Sequence, residues 1–323
     1  MPSVVIAASF GGPEVLSVVE EPAIEPGPGQ ARIAVRAAGV NPVDYKSYSG
    51  AFGTDPARLP VRPGLEAAGV VTAVGRGAAG PAGPVAVGPA GPVAVGDEVI
   101  AFRAPGAYAT ELVAPAAALV PKPAALDWAE AAGLMLTGVT AWHALAATDV
   151  HEGDMVLIHG AAGGVGLMAV QLAIGRGAPA VATARPARHG FLRDLGAVPV
   201  AYGPGLAGRV RAAMPGGLDA ALDLIGTDEA VDVSLELVTD RARIATIAAP
   251  AHGLEVGIKV LGGAPGADPG TQIRDAARLE LARLAHDRAL RVFVTQTFPL
   301  AGAADAHRAS MDGHTTGKIV LLP

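Results

Sequence analysis

A glycine-rich turn stands between an apolar segment and a helical one near the middle of the chain. The segment "DMVLIHG" is short and almost wholly apolar, which is typical of a strand buried on both faces of a parallel sheet. The stretch "HGAAGGVGLMAV" (159–170) follows, and its glycines give way to apolar helix formers. Glycines let a ligand lie almost against the backbone, and a helix N-terminus attracts an anion. The pattern therefore predicts a strand–turn–helix unit whose turn binds a phosphate.

Strands and helices alternate along the residues that follow this turn. The predicted strands are "APAVATA", "AVPVAY", "LDAALDLIG" and "RARIATIA", and the predicted helices between them are "PARHGFLRDLG", 205–214 and 228–238. Alternation at this spacing specifies an α/β fold with a doubly wound parallel sheet.

The first third of the chain has a different, β-rich pattern. Short strands bounded by glycine and proline are predicted in "ARIAVRAAGV" (31–40), "EAAGVVTAVG" (66–75) and "GDEVIAF" (96–102). The segment "PAGPVAVG" at 81–88 recurs unchanged at 89–96. A binding lid is one interpretation of this repeat, but a duplicated hairpin loop is favoured, because surface insertions cost little.

The remaining segments divide the chain into two predicted domains. A helical region at 124–146 has Asp127 near its start, and Gly138 is expected to interrupt it. The tail contains a helix at 271–288, the strand "LRVFVTQTF", a short helix near 302–311 and the strand "GKIVLLP". We expect the tail to complete the β-rich domain, which gives one domain of 1–123 plus 265–323 and another of 124–264.

Composition excludes several classes of function. The chain has 323 residues, a net charge of −6 and no cysteine, so disulfides, thiolate catalysis and cysteine-based zinc sites are excluded. The histidines lack metal-site spacing, and the basic residues are scattered, so we expect no metal and no nucleic-acid partner. No apolar run approaches the roughly 18 residues of a membrane helix. The segment "MPSVVIAASFGGPE" lacks the features of a secretory signal, and we expect a cytoplasmic protein.

The glycine turn has the setting of a dinucleotide fingerprint. Gly160, Gly163 and Gly166 fit a GxxGxxG variant, which serves a tight turn, close approach to a pyrophosphate and close helix–strand packing. The cofactor-binding candidates in this turn are Gly160, Ala162, Gly163, Gly164 and Val165.

The second strand of the predicted sheet bears on the choice of cofactor. An NAD-binding protein usually places a carboxylate there, but residues 181–190 contain no acid. Arg185 and Arg188 stand where a 2′-phosphate would lie, and guanidinium groups pair well with phosphate. The alternative is that they are two solvated arginines at a helix start. We favour NADPH as the cofactor.

Seven segments stand in the order found in a known family. They are "AAGVNPVDYKSYSG", "RPGLEAAGVVTAVG", "GDEVIAF", "LMLTGVTAWHAL", "HGAAGGVG", "ALDLIG" and "GKIVL". Along nearly its whole length the chain resembles the zinc-independent quinone oxidoreductases of the medium-chain dehydrogenase/reductase superfamily. The resemblance implies a GroES-like catalytic domain built from both chain ends, a Rossmann domain between them, an active site between the two domains, and a homodimer.

The resemblance also implies roles for individual residues. Asn41 is expected near the nicotinamide, and Tyr45, Lys46 or Tyr48 is expected to supply a hydrogen bond or a proton, with Lys46 and Tyr48 preferred. Further cofactor-binding candidates are Thr137, Thr183, Tyr202, Ile225, Ala248 and Lys318. His143 is interpreted as a helix-packing residue.

Two positions depart from the family pattern. Leu65 stands beside Glu66 where zinc-dependent relatives carry a ligand histidine, which argues against zinc-bound alkoxide chemistry. Phe52 stands where zinc-free relatives often carry a tyrosine, so a proton donor cannot be assigned to that position.

These observations predict conjugate reduction of a small-molecule quinone or enone. NADPH would deliver hydride to the substrate, while the protein orients both reactants and stabilises the charge on the carbonyl oxygen. One alternative is a dedicated enoyl or enone reductase of a biosynthetic pathway. Another, from a different class, is a cofactor-binding relative with a structural or RNA-binding role.

Overall fold

A computed structural model of the chain describes residues 1–75, 78–80, 83–88, 91–313 and 315–323, with the strands between 78 and 88 described by their backbone alone. The strands are β1 (Ser3–Ala7), β2 (Leu16–Glu20), β3 (Gln30–Val40), β4 (Glu66–Val74), β5 (Ala78–Gly80), β6 (Gly83–Gly88), β7 (Gly91–Val93), β8 (Glu98–Phe102), β9 (Glu111–Pro115), β10 (Leu119–Pro121), β11 (Val156–His159), β12 (Ala180–Thr183), β13 (Val198–Val200), β14 (Ala220–Asp223), β15 (Ile244–Thr246), β16 (Lys259–Val260), β17 (Val294–Pro299) and β18 (Lys318–Leu322). The α-helices are α1 (Pro42–Lys46), α2 (Trp128–Ala132), α3 (Met135–Ala147), α4 (Gly164–Gly175), α5 (His189–Asp194), α6 (Leu206–Ala213), α7 (Asp228–Leu237), α8 (Pro250–Val256), α9 (Thr271–His286) and α10 (Ala303–Met311).

The chain forms two compact units. Unit 1 contains Met1–Leu136 and Arg278–Pro323, and unit 2 contains Thr137–Ala277. Domain boundaries at 123/124 and 264/265 stay a prediction from the sequence. No helix of the described ranges combines the length and the hydropathy needed to cross a bilayer.

Unit 2 is built on a six-stranded sheet in the order β13-β12-β11-β14-β15-β16. All five strand pairs in it are parallel. The strand order reverses between β11 and β14, and this is the topological switch point at which such sheets bind ligands. The structure confirms the predicted doubly wound sheet, while α8 and the two-residue strand β16 were not foreseen.

Unit 1 contains a seven-stranded sheet in the order β10-β8-β4-β3-β18-β17, with β9 also paired to β3. The strand β18 is antiparallel to β3 and parallel to β17, so the C-terminal segment lies inside this sheet. Buried apolar side chains from several strands form the core beneath it, including Ile33, Val71, Leu119 and Ile319. The predicted strands at 31–40, 66–75 and 96–102 are confirmed within one or two residues of their ends.

The helical region at 124–146 begins as predicted but breaks elsewhere. Asp127 caps α2, because its side chain accepts from the backbone N–H of Glu130 and the side chain of Glu130 accepts from the N–H of Asp127. The predicted break at Gly138 is wrong, since this residue lies inside α3 and the two helices part at Gly133. A Cβ on Gly133 would lie 3.2 Å from Cγ of Lys318, so close packing accounts for this glycine.

The repeated segment is only partly described. The strands β5, β6 and β7 pair antiparallel in a small sheet of their own. Residues 81, 82, 89 and 90 lie outside the described residues. The interpretation of the repeat as a duplicated hairpin loop therefore stays a prediction.

Candidate functional site

The glycine turn of unit 2 has two positions that favour glycine, one for its backbone conformation and one for lack of space. Gly160 follows β11 with φ of +69°, and a Cβ there would lie 3.2 Å from Cβ of Ile225. A Cβ on Gly166 would lie 2.3 Å from the carbonyl oxygen of Gly160. Gly163 is the N-cap of α4, so no side chain covers the start of this helix. The turn is a shallow cradle in front of a helix N-terminus, which suits an anionic group.

Most of the other predicted cofactor residues of unit 2 lie at or just beyond the carboxyl ends of neighbouring strands. Thr183 ends β12 and is buried, and its carbonyl oxygen accepts from the N–H of Ala161. Five others stand two to five residues beyond a strand, namely Arg185 and Arg188 after β12, Tyr202 after β13, Ile225 after β14 and Ala248 after β15. Tyr202 and Ile225 are 54% and 52% exposed, so both side chains are accessible to a ligand. The parallel topology therefore collects these positions at one edge of the sheet.

A buried cluster around an ion pair in unit 1 contains two of the predicted residues, Lys318 and Asn41. Nζ of Lys318 donates to Oε1 of Glu66 at 2.9 Å, to Oδ1 of Asn41 at 2.6 Å and to the carbonyl oxygen of Val40 at 3.1 Å. The amide of Asn41 donates to the same Glu66 oxygen at 2.9 Å, and Oε2 of Glu66 accepts from the N–H of Leu136. The three side chains are at most 3% exposed. All three ammonium hydrogens of Lys318 are thus used, and the orientation of the Asn41 amide is fixed.

Four other buried side chains of unit 1 form a hydrogen-bonded row, which we call the buried row: Asp44, Tyr108, His307 and Tyr48. The hydroxyl of Tyr108 donates to Oδ2 of Asp44 at 2.9 Å and lies 3.0 Å from Nε2 of His307. Since the hydroxyl has a single hydrogen, His307 donates from Nε2, and its Nδ1 accepts from Tyr48 at 2.6 Å. The backbone N–H of Asn41 also donates to Oδ2 of Asp44. The buried row therefore links α10 to the start of α1.

Burial controls protonation in the buried row. It raises the pKa of Asp44 from 3.8 to about 7, although hydrogen bonds from Asn41 and Tyr108 act in the opposite direction. It lowers the pKa of His307 from 6.5 to about 4, so this ring is neutral at neutral pH. Within the part of the chain that the structure describes, Oδ1 of Asp44 has no hydrogen-bond partner.

The structure places the predicted catalytic residues on one short segment. Asn41 caps α1, Lys46 ends it and Tyr48 follows two residues later. Lys46 is half-buried, whereas Asn41 and Tyr48 are buried and engaged as described. Their catalytic roles stay predictions.

Two more residues have informative surroundings in unit 2. Thr137 is 3% exposed in α3. His143 is fully buried in the same helix, where its Nε2 lies 3.1 Å from Asp268 and its Nδ1 accepts from Arg274. These contacts fit the interpretation of His143 as a packing residue.

Several buried polar residues of the two units were not singled out from the sequence. The partners Asp44, Tyr108 and His307 stand far apart in the chain, and no local pattern joins them. Asp223 and Thr246, which end β14 and β15, are fully buried polar residues. A carboxylate within the apolar segment "ALDLIG" is a signal that could have drawn attention to Asp223.

A glycine cradle at the switch point of a sheet in this strand order defines the Rossmann class of fold. Residues 27–124 match the family described as alcohol dehydrogenase GroES-like domain, and residues 195–321 match the family described as zinc-binding dehydrogenase. A quinone oxidoreductase from Pseudomonas aeruginosa is 33% identical over 98% of this chain and 98% of its own length. The chain therefore belongs to the quinone oxidoreductase group of the medium-chain dehydrogenase/reductase superfamily.

Other relatives are similar over different shares of their length. The synaptic vesicle membrane protein VAT-1 homolog of Rattus norvegicus is 32% identical over 68% of this chain, which spans only 53% of that relative. The pikromycin polyketide synthase component PikAII of Streptomyces venezuelae is 34% identical over 91% of this chain and 8% of its own length. Among solved structures, a mycobacterial protein in complex with NADPH superposes with a TM-score of 0.84 at 31% identity, covering 100% of both chains.

Proposed function

We propose that this chain is an NADPH-dependent reductase of quinones or α,β-unsaturated carbonyls that works without zinc. The observation that carries the proposal is the cradle at the switch point of unit 2, where Gly160 has a positive φ and a Cβ on Gly166 would lie 2.3 Å from a backbone oxygen. Similarity to a quinone oxidoreductase over nearly the whole chain, and to a protein solved with NADPH, supports it.

The carboxyl edge of the unit 2 sheet fits a phosphorylated dinucleotide. The turn from Gly160 to Val165 would hold the pyrophosphate, and Arg185 and Arg188 would hold the 2′-phosphate. Thr137, Thr183, Tyr202, Ile225, Ala248 and Lys318 are the other proposed cofactor neighbours. When bound, NADPH supplies the hydride for the reduction.

Asn41, Lys46 and Tyr48 are the proposed catalytic residues. Reduction of an enone or a quinone leaves negative charge on a carbonyl oxygen, which needs a hydrogen-bond donor and then a proton. Lys46 is half-buried at the end of α1 and offers an ammonium donor. The amide of Asn41 is held by Glu66 and Lys318, so its role would be to orient a reactant rather than to move a proton.

The residues present do not fit a catalytic zinc ion. The chain has no cysteine, and Leu65 replaces the histidine ligand of zinc-dependent relatives. The neighbouring Glu66 is already paired with Lys318. Over the described ranges, no group of three or more His, Cys, Asp or Glu side chains could hold a metal ion.

A second candidate function is a biosynthetic enoyl reductase. A segment of a polyketide synthase matches 91% of the length of this chain, at 34% identity, and this match favours the second candidate. This candidate shares the cofactor and the reaction type with the first, and differs in having an enoyl thioester as substrate.

Consumption of NADPH against a panel of quinones, simple enones and enoyl thioesters tests both proposals. We expect turnover with at least one class, and the ratio of kcat/KM values between quinones and enoyl thioesters decides between the two candidates. Absence of NADPH binding to the folded protein would overturn both. The cytoplasmic location and the homodimer stay predictions from the sequence and the resemblance.

A further inference from the structure

A buried carboxylate ends the strand beside the switch point of the unit 2 sheet. Asp223 is the last residue of β14 and is 0% exposed. Its Oδ1 accepts from the backbone N–H groups of Ile225 at 3.0 Å and Gly226 at 2.8 Å. Its Oδ2 accepts from the hydroxyl of Thr246 at 2.7 Å. This carboxylate therefore fixes the start of the loop that follows its own strand.

Thr246 makes the matching contacts on the next strand. It ends β15, is 0% exposed, and its Oγ1 accepts from the N–H groups of Ala248 at 3.1 Å and Ala249 at 2.9 Å. A hydroxyl has one hydrogen to donate and two lone pairs, and all three are used here. Asp223 and Thr246 together thus bind four backbone amides from two loops.

The two loops are in contact with each other, and the loop after β14 also lies against the glycine turn. Gly226 has φ of +83°, and a Cβ there would lie 2.8 Å from the carbonyl oxygen of Ala248. Ile225, in the same loop, is the residue that a Cβ on Gly160 would meet at 3.2 Å. A displacement of the loop after β14 would therefore change the cradle, and a displacement of the loop after β15 would act on it through the contact of Ala248 with Gly226.

We propose that Asp223 and Thr246 are positioning residues that hold the loops after β14 and β15 in the arrangement required to receive the dinucleotide. This inference rests on the proposed function, because it assigns the carboxyl edge of the sheet to that ligand. Neither side chain touches solvent. Both therefore act through the backbone of residues 225–226 and 248–249.

Thr246→Val tests the proposal with little change in shape. Valine is β-branched and suits a buried strand, but it cannot accept from the two amides or donate to Asp223. We expect the dissociation constants of NADPH and NADH, measured by direct titration, to rise together by about 5- to 30-fold. The ratio of the two constants should stay unchanged, because the proposed contacts to the 2′-phosphate come from Arg185 and Arg188 instead. Thr246→Ser restores the hydroxyl and should return both constants to within about threefold of wild type.

Amide hydrogen exchange in the cofactor-free protein provides a readout that does not depend on binding. We expect faster exchange in Thr246→Val at residues 225–226 and 248–249, and a normal rate in Thr246→Ser. Thr148→Val is a matched control, since Thr148 is a buried threonine of unit 2 whose hydroxyl bonds to the carbonyl oxygen of Ala144 in α3. This control should leave both dissociation constants unchanged.

The outcomes separate this inference from the proposed function. If wild type binds NADPH and Thr246→Val binds it equally well, the positioning role is overturned while the proposed function stands. If Thr148→Val weakens binding as much as Thr246→Val does, the effect is one of general stability, and the positioning role is again overturned. If wild type binds neither dinucleotide, the proposed function fails and this inference fails with it.

Discussion

The hydroxyl of Tyr48 lies 2.6 Å from Nδ1 of His307, and the two rings stack at a centroid distance of 5.6 Å with an interplanar angle of 9°. The two residues are 259 positions apart in the sequence. This contact joins the segment that follows α1 to α10, and it places a predicted catalytic tyrosine in a fully buried setting.

Tyr48→Phe removes this hydrogen bond and keeps the ring. It leaves Nδ1 of His307 buried without its donor, so we expect the free energy of unfolding to fall by about 1–3 kcal/mol. Urea unfolding measures this loss. The same variant tests the predicted catalytic role: a fall in kcat of more than about tenfold would support it, whereas an unchanged kcat in the folded variant would contradict it.

Asp44→Asn is expected to change how stability depends on pH. The folded pKa of Asp44, about 7, exceeds the ordinary value of 3.8, so its neutral form favours folding at low pH. This contribution is lost as pH rises from about 4 to about 7, with a slope of at most about 1.4 kcal/mol per pH unit. Asparagine cannot ionise and should abolish that slope.

The measurement is urea unfolding of wild type and Asp44→Asn across this pH range. His159 and His307 have folded pKa values lowered to about 4, so they destabilise the fold as pH falls below about 6.5 in both proteins. Lys318 and Glu66, the charged groups that also act on Asp44, are unchanged in the variant. The difference between the two proteins therefore isolates Asp44, and parallel pH profiles would show that its ionisation does not matter.

Arg185→Ala and Arg188→Ala test the choice of cofactor. A charge-assisted contact to the 2′-phosphate contributes about 1.5–3 kcal/mol, so each change should weaken NADPH binding by about 10- to 150-fold. NADH lacks this phosphate and should bind as before. We expect the effect in KM rather than kcat, because the contact is remote from hydride transfer.

Arg193→Ala provides the matched control for these two variants, since Arg193 is an exposed arginine of α5. It should leave the KM for NADPH unchanged. If the Arg185→Ala, Arg188→Ala double variant keeps its preference for NADPH over NADH, cofactor choice depends on other residues.

Gly166→Ala should damage the glycine turn. The added Cβ would meet the carbonyl oxygen of Gly160 at 2.3 Å, so we expect a loss of about 1–3 kcal/mol in stability and weaker NADPH binding. Gly175→Ala, at the other end of α4, has nothing within 4 Å of its added Cβ and should leave stability within about 1 kcal/mol of wild type. Equal thermal unfolding temperatures for the two variants would refute the packing role of Gly166.

Purified protein is expected to hold well under one zinc ion per chain and to keep its activity with chelators. The reasons are the absence of cysteine, Leu65 at the ligand position and the pairing of Glu66 with Lys318. Elemental analysis before and after chelation provides the measurement, with a zinc-dependent dehydrogenase treated in parallel. Stoichiometric zinc that is lost together with activity would contradict the prediction.

Local patterns predicted the parts of the molecule that depend on local physics. The helix start at Asp127, the glycine turn at 160–166 and the alternating elements of unit 2 follow from residues close together in the sequence. The position of the break in the helical region could not be predicted from the sequence. Glycine is needed at position 133 because Lys318, from a distant segment, packs closely against it. The buried row and the link from Asp223 to Thr246 depend in the same way on which strands and helices become neighbours.

The position of β18 inside the unit 1 sheet has a consequence for synthesis on the ribosome. Lys318 follows Val40 by 278 residues, which takes about 15–55 s to translate at typical rates. During that time the edge of β3 from Ala38 to Val40 lacks β18 as its partner strand, and Glu66 lacks the ammonium group of Lys318. Unit 2 is a continuous segment that emerges in between, so the nascent chain completes its second unit before its first.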